Sequence, residues 1–165
     1  MARFAAASKA LRGPFKKLIR NLEITLRKPV VRKFGPIGRK IDAHFKATDS
    51  RTAFQAAREA AGVRSLGSRP IPVATSAAVD RTTGRVVAVG HARANPDIPK
   101  QLRSTLPEIS LERWSVTNCA EVSAASTAIK QGSRLEDLVI RTVRTKEGVE
   151  FPPCENCKTW LPGED

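Results

Sequence analysis

Three cysteines and one glutamate hold the chemistry that can be read from this 165-residue chain. Cys119-Ala120-Glu121 opens an Ala-rich segment, and Pro153-Cys154-Glu155-Asn156-Cys157 follows further along. An odd cysteine count does not read as a disulfide framework, and Cys-x-x-Cys in a chain of this size points first to a metal or redox site. Cysteines that bind zinc must be thiolates, and a helix N-terminus favours the thiolate through its free N–H groups and dipole. Two helix N-termini pointing together offer Cys119, Cys154 and Cys157 to one ion, a single Zn2+. The Cys-x-x-Cys pair places two thiolates on one turn, close enough for roughly tetrahedral bonding at ~2.3 Å. Three protein ligands leave the fourth position to water, the catalytic arrangement, and zinc lowers the pKa of that water toward ~7. Glu121, two residues after Cys119, reaches the water without binding the metal and is the candidate general acid and base.

Plainer readings compete with this one. A closed structural zinc site would take a fourth ligand, His44 or His91. A thioredoxin-like pair would need a preceding strand and no third cysteine partner. Glu121 would then be an ordinary solvated helix residue.

The elements around these residues follow from pattern. Leu11, Phe15, Leu18, Ile19 and Leu22 fall at helical spacing, but Pro29, Gly35-Pro36 and Gly38 interrupt any long helix. Asp49-Ser50 caps a helix over 51–61 that Gly62 closes, and 63–70 reads as a loop. A strand over 71–79, a turn over 80–84 and a strand over 85–91 form a hairpin. Residues 94–108 are Pro-rich and irregular. A helix over 119–131 is ended by Gly132, a β-rich segment covers 135–145, and a short helix opens at Cys154. The order is β-β-α-β-α.

Charge divides the chain. Residues 1–46 hold 13 Lys/Arg against two acids, net +11, while the rest holds 16 against 14, net +2. The expected division is a basic extension over 1–46 and a domain over 47–165 with its core at 70–160. Such an extension is drawn to polyanions, either nucleic acid or an anionic membrane surface. No stretch approaches the ~20 apolar residues of a membrane span, and the N-terminus has too short an apolar run for a secretion signal.

Cys-x-Glu followed at this distance by Pro-Cys-x-x-Cys resembles the zinc nucleoside and nucleic-acid deaminases. Asn118-Cys119-Ala120-Glu121, with a chain ending soon after Cys157, is similar to the YwqJ-like deaminases of bacterial polymorphic toxins. The resemblance covers about residues 70–160. It implies an α/β fold of the three-layer cytidine deaminase-like kind: a mixed β-sheet flanked by helices, C-terminally short. Larger deaminases continue with two more strands, so the sheet is expected to be short, or residues 1–70 supply an element that completes it.

The resemblance also implies a substrate pocket. A similar Gly-His segment puts His91 near it, or His91 is simply satisfied at its strand end. Asn118 bonds substrate or caps the helix, and Pro153 borders the second ligand segment. Trp114 and Trp160 flank the zinc segments, and either stacks on a base or belongs to the core. Glu155 and Asn156 help position the pyrimidine edge through their backbone. The implied activity is deamination of cytosine to uracil in single-stranded DNA or RNA, by a toxin domain with a cognate immunity protein. It would act in the cytoplasm after delivery within a larger effector. The alternatives are a free cytidine or nucleotide deaminase of salvage metabolism, which needs no basic arm, and a non-enzymatic zinc-stabilised nucleic-acid-binding module.

Overall fold

The computed structural model describes residues 31–66, 70–95 and 97–161. The helical spacing over 11–22 and most of the basic extension lie outside these residues. The chain divides into two units between Phe45 and Lys46. The unit from Lys46 onward carries the cysteines and holds a small three-stranded antiparallel sheet between helices, a mixed α and β architecture. No helix among the described residues is long and apolar enough to cross a membrane.

Helix α1 spans Val31–Ser65, far longer than the 51–61 segment expected. It runs through Gly35, Pro36 and Gly38, and Asp49 lies within it rather than at its cap. One missing proline N–H and the backbone entropy of glycine weaken a helix locally, but the bonds on either side carry it on. Gly62 does not end it either, since its φ is not positive. Ala53, Ala57 and Ala61 recur every four residues and are completely buried, so tertiary packing outweighs these local signals.

Strands β1 (Ala74–Asp80) and β2 (Arg85–His91) form the expected hairpin. Asp80 accepts from the N–H and hydroxyl of Thr82, and Gly84 closes the turn at φ 65°. Strand β3 (Leu138–Arg144) pairs antiparallel with β1 on its other side, giving the order β2-β1-β3. All pairings are antiparallel, so the sheet is not the mixed one expected. A parallel pair needs a crossover that returns the chain to the same end of the sheet. Here the connection before β3 brings the chain in beside Asp80, at the opposite end of β1 from its start.

Every residue of β1 is buried, because helices cover both sheet faces. On one face Ala77 and Val143 meet Ala57 and Ala61 of α1. On the other, Ala78, Ala88 and Leu138 meet the helix that follows the one-turn helix α2 (Lys100–Arg103). That helix, α3 (Ala120–Lys130), sits so close that β2 has room only for glycine at Gly90. A Cβ there would lie 2.2 Å from the Ala124 nitrogen. α3 ends as the sequence indicates. Gly132 adopts φ 96°, the Gly132 N–H bonds the Ile129 carbonyl, and the Ser133 N–H bonds that of Ala128. This is a Schellman closure.

After β3 the chain turns at Gly148 and runs back beside it, with the Phe151 N–H bonded to the Thr142 carbonyl. It then enters the one-turn helix α4 (Glu155–Lys158).

Candidate metal centre

Cys119 is the N-cap residue of α3 and Cys154 that of α4, while Cys157 lies inside α4. Their sulfurs all lie within 4.8 Å of one another, and Cys119 and Cys154 Sγ are 3.6 Å apart. Four bonds of ~2.3 Å in a tetrahedron place sulfurs ~3.8 Å apart, so the spacing suits one ion. Cys119 and Cys157 are buried and Cys154 half-buried. Among the described residues no histidine joins the cluster, so the fourth ligand considered for a closed site is not found there.

The electrostatics of the three thiols point the same way. Cys154 is held down to about 2, first by the Cys119 thiol, then by Cys157, with burial opposing and the N–H groups of Cys157 and Asn156 adding to the effect. Cys119 is pushed up to about 12, chiefly by its contact with Cys154, and Cys157 is pushed up by its contacts with both partners and by burial. The Cys154 thiolate is thus favoured, while contact with it and burial disfavour ionisation of the other two thiols. Second and third thiolates at this distance repel one another unless a cation joins them.

Glu121, in the first turn of α3, is 5% exposed. The Thr142 hydroxyl donates to its Oε1 at 2.9 Å, and Ser76 Oγ lies 2.7 Å from Thr142 Oγ1. With the Thr142 proton committed to the carboxylate, Ser76 is the donor in that second bond. Burial raises the Glu121 pKa, against the effect of its own N–H and the Thr142 hydroxyl. The Cys157 thiol also faces this carboxyl group. Ser76 and Thr142 carry no spacing signal. They appear only when β1 and β3 are paired in register on the α3 face.

The remaining expected site residues scatter. Thr75 and Ser76 point to opposite faces of β1, as neighbours in a strand must. His91 Nδ1 lies 3.1 Å from Thr75 Oγ1, so it faces away from the layer that holds Glu121. Burial, then Arg64 and Arg93, lower the His91 pKa. The strand-end reading describes it, and the structure does not bring it to the thiols. Trp160 is 8% exposed and packs in the core with Cys157, so it presents no face for stacking. Its Nε1 has no hydrogen-bond partner. Trp114 is the tryptophan beside the cluster, with its indole N–H next to Cys119.

Asn118 ends a 3-10 turn, Val116–Asn118, and does not cap α3, a position Cys119 takes. Pro153 is half-buried next to Cys154. The Asn156 side chain is wholly buried and bonds the preceding loop rather than facing outward.

Compared with protein-family models, curated proteins and solved structures, the chain matches none.

Proposed function

We propose that this chain is a zinc-dependent hydrolytic deaminase acting on a nucleobase in nucleic acid, converting cytosine to uracil. The observation that carries the reading is a buried carboxyl group, Glu121, held by hydroxyls of two strands beside a three-thiol cluster. Held by three thiolates, zinc supplies Lewis acidity toward water at its remaining position. Glu121 takes one proton from the attacking water and gives it to the ring nitrogen, then takes the second from the hydroxyl added at the amine-bearing carbon and gives it to the departing amine. Water and the exocyclic amine thus become the carbonyl of uracil and ammonia. Thr142 fixes the carboxylate during both transfers, and burial raises its pKa and so favours the protonated form it passes through.

The preference for nucleic acid over free nucleoside rests on the +11 extension. The place of the domain in an interbacterial toxin, with an immunity partner, rests on the resemblance of Asn118-Cys119-Ala120-Glu121 to the YwqJ-like deaminases. Glu121→Gln tests the reading on a cytosine-containing single-stranded oligonucleotide, with free cytidine in parallel. Uracil formation should fall ~10²–10⁴-fold while one zinc per chain is retained. Undiminished deamination would remove Glu121 from the mechanism.

A further inference from the structure

The residues between Cys154 and Cys157 have a task that the proton chemistry does not use. Asn156 Oδ1 accepts the Leu111 N–H at 2.7 Å, and Nδ2 donates to Ser110 Oγ at 3.0 Å. The Ser110 hydroxyl donates onward to the Trp114 carbonyl at 2.5 Å. Glu112 Oε1 accepts the Glu155 N–H at 3.0 Å, a second stitch to the same turn. The loop over 110–114 is thereby fastened at two points to the helix that bears Cys154 and Cys157.

Trp114, at the end of that loop, stays 45% exposed while its indole N–H sits beside Cys119. An indole is large and mostly apolar, and folding normally buries it, as it buries Trp160. Here polar bonds anchored on the buried Asn156 side chain set the backbone so that the ring stays at the cluster with part of its surface in water. An aromatic surface held in that way is a stacking platform, because every base has a π-face to lay on it.

We propose that Trp114 is the substrate-contact residue of this site, stacking on the planar heterocycle that enters it, and that Asn156 is the residue that positions Trp114 through Ser110. The class of ligand rests on the deaminase reading above. The platform itself rests on the loop geometry.

The test uses the zinc-loaded full chain with Glu121→Gln to suppress turnover and Trp160→Phe to leave Trp114 as the single indole. The probe is a short single-stranded oligodeoxynucleotide containing one cytosine, and the readout is quenching of indole emission. Quenching should saturate. By retention on the labelled probe, Trp114→Ala should weaken binding ~10-fold, and Trp114→Phe should restore most of the loss with zinc content unchanged. Asn156→Ala should weaken binding similarly, and Ser110→Ala does so without opening the buried amide site. In the Trp114→Ala background neither should add more than about two-fold. Absent quenching, Trp114→Ala binding within about two-fold of the parent, or additive losses would overturn the proposal. With Glu121 intact, Trp114-dependent binding without uracil formation would sink the deaminase reading alone. Deamination indifferent to Trp114→Ala would sink this proposal alone.

Discussion

Replacing Gly90 with alanine should damage the metal centre from the far side of helix α3. A Cβ at this position would meet the Ala124 nitrogen at 2.2 Å, the Ala120 carbonyl oxygen at 2.5 Å and the Ser123 carbonyl carbon at 2.8 Å. All three are backbone atoms, so no side chain can swing aside. Gly90 has no positive φ, so the cost comes from contact alone. Comfortable separations are ~3.5–4 Å, which means that α3 must lift by ~1 Å or more from β2. Overpacking of this kind costs ~1–3 kcal/mol. Cys119 and Glu121 move with α3, whereas Cys154 and Cys157 are anchored elsewhere, so zinc affinity should drop ~10–100-fold. The matched control is Gly62→Ala, where the new methyl meets nothing within 4 Å. That change should be neutral or stabilise by ~0.4–1 kcal/mol. Urea unfolding gives the stabilities, and competition with a chromophoric chelator gives the zinc affinity. Equal behaviour of the two variants in both assays would refute the packing argument.

Thr142→Val keeps the shape of the side chain but removes the donor to Glu121, leaving a buried carboxyl oxygen and the Ser76 hydroxyl without their partner. Stability should fall by ~1–3 kcal/mol and deamination by at least ~10-fold, with zinc retained. Activity equal to the parent would show that the hydroxyl does not steer Glu121. Asp80 gives a pH signature. Burial raises its pKa, but bonds from the Thr82 and Ser133 side chains and from the N–H groups of Thr82 and Thr83 outweigh this and leave it lowered. A lowered carboxyl pKa contributes stability above its unfolded value of ~3.9, and that contribution is lost as pH falls through the folded value. Asp80→Asn should therefore cost ~1–2 kcal/mol at pH 7, and the gap to the parent should close in strong acid. A gap that persists there would refute the assignment.

The parts of the fold that the sequence reveals are those set by local chemistry. The hairpin is visible because Asp80 to Gly84 carry turn residues between two β-rich runs. The end of α3 is visible because Gly132 needs a positive φ. The thiol cluster is visible because Cys-x-Glu and Cys-x-x-Cys each sit at a helix start. What stayed hidden depends on packing between distant segments. The length of α1 is decided by an alanine stripe buried on the sheet, which outweighs its Gly and Pro residues. The facing of His91 is decided by strand register, which a Gly-His pair does not announce. The placing of Trp114 and Trp160, which the sequence leaves open, is decided by packing: Trp160 joins the core, while Trp114 stays part-exposed on the loop that the inward-turned Asn156 holds.

Cys119 and Cys154 stand 35 positions apart, and the stretch between them includes β3 and its return. An ion shared by the three sulfurs closes that stretch into a ring. Helix α4 is a single turn and too short to persist by itself. Once the ring is closed, opening a few backbone bonds along the return no longer releases the chain end. Apart from the ion, α4 is held by the buried Cys157, by Trp160 in the core and by the Asn156 bonds to the preceding loop. An ion held by the three sulfurs would therefore steady α4 and the loop that ends at Trp114 together.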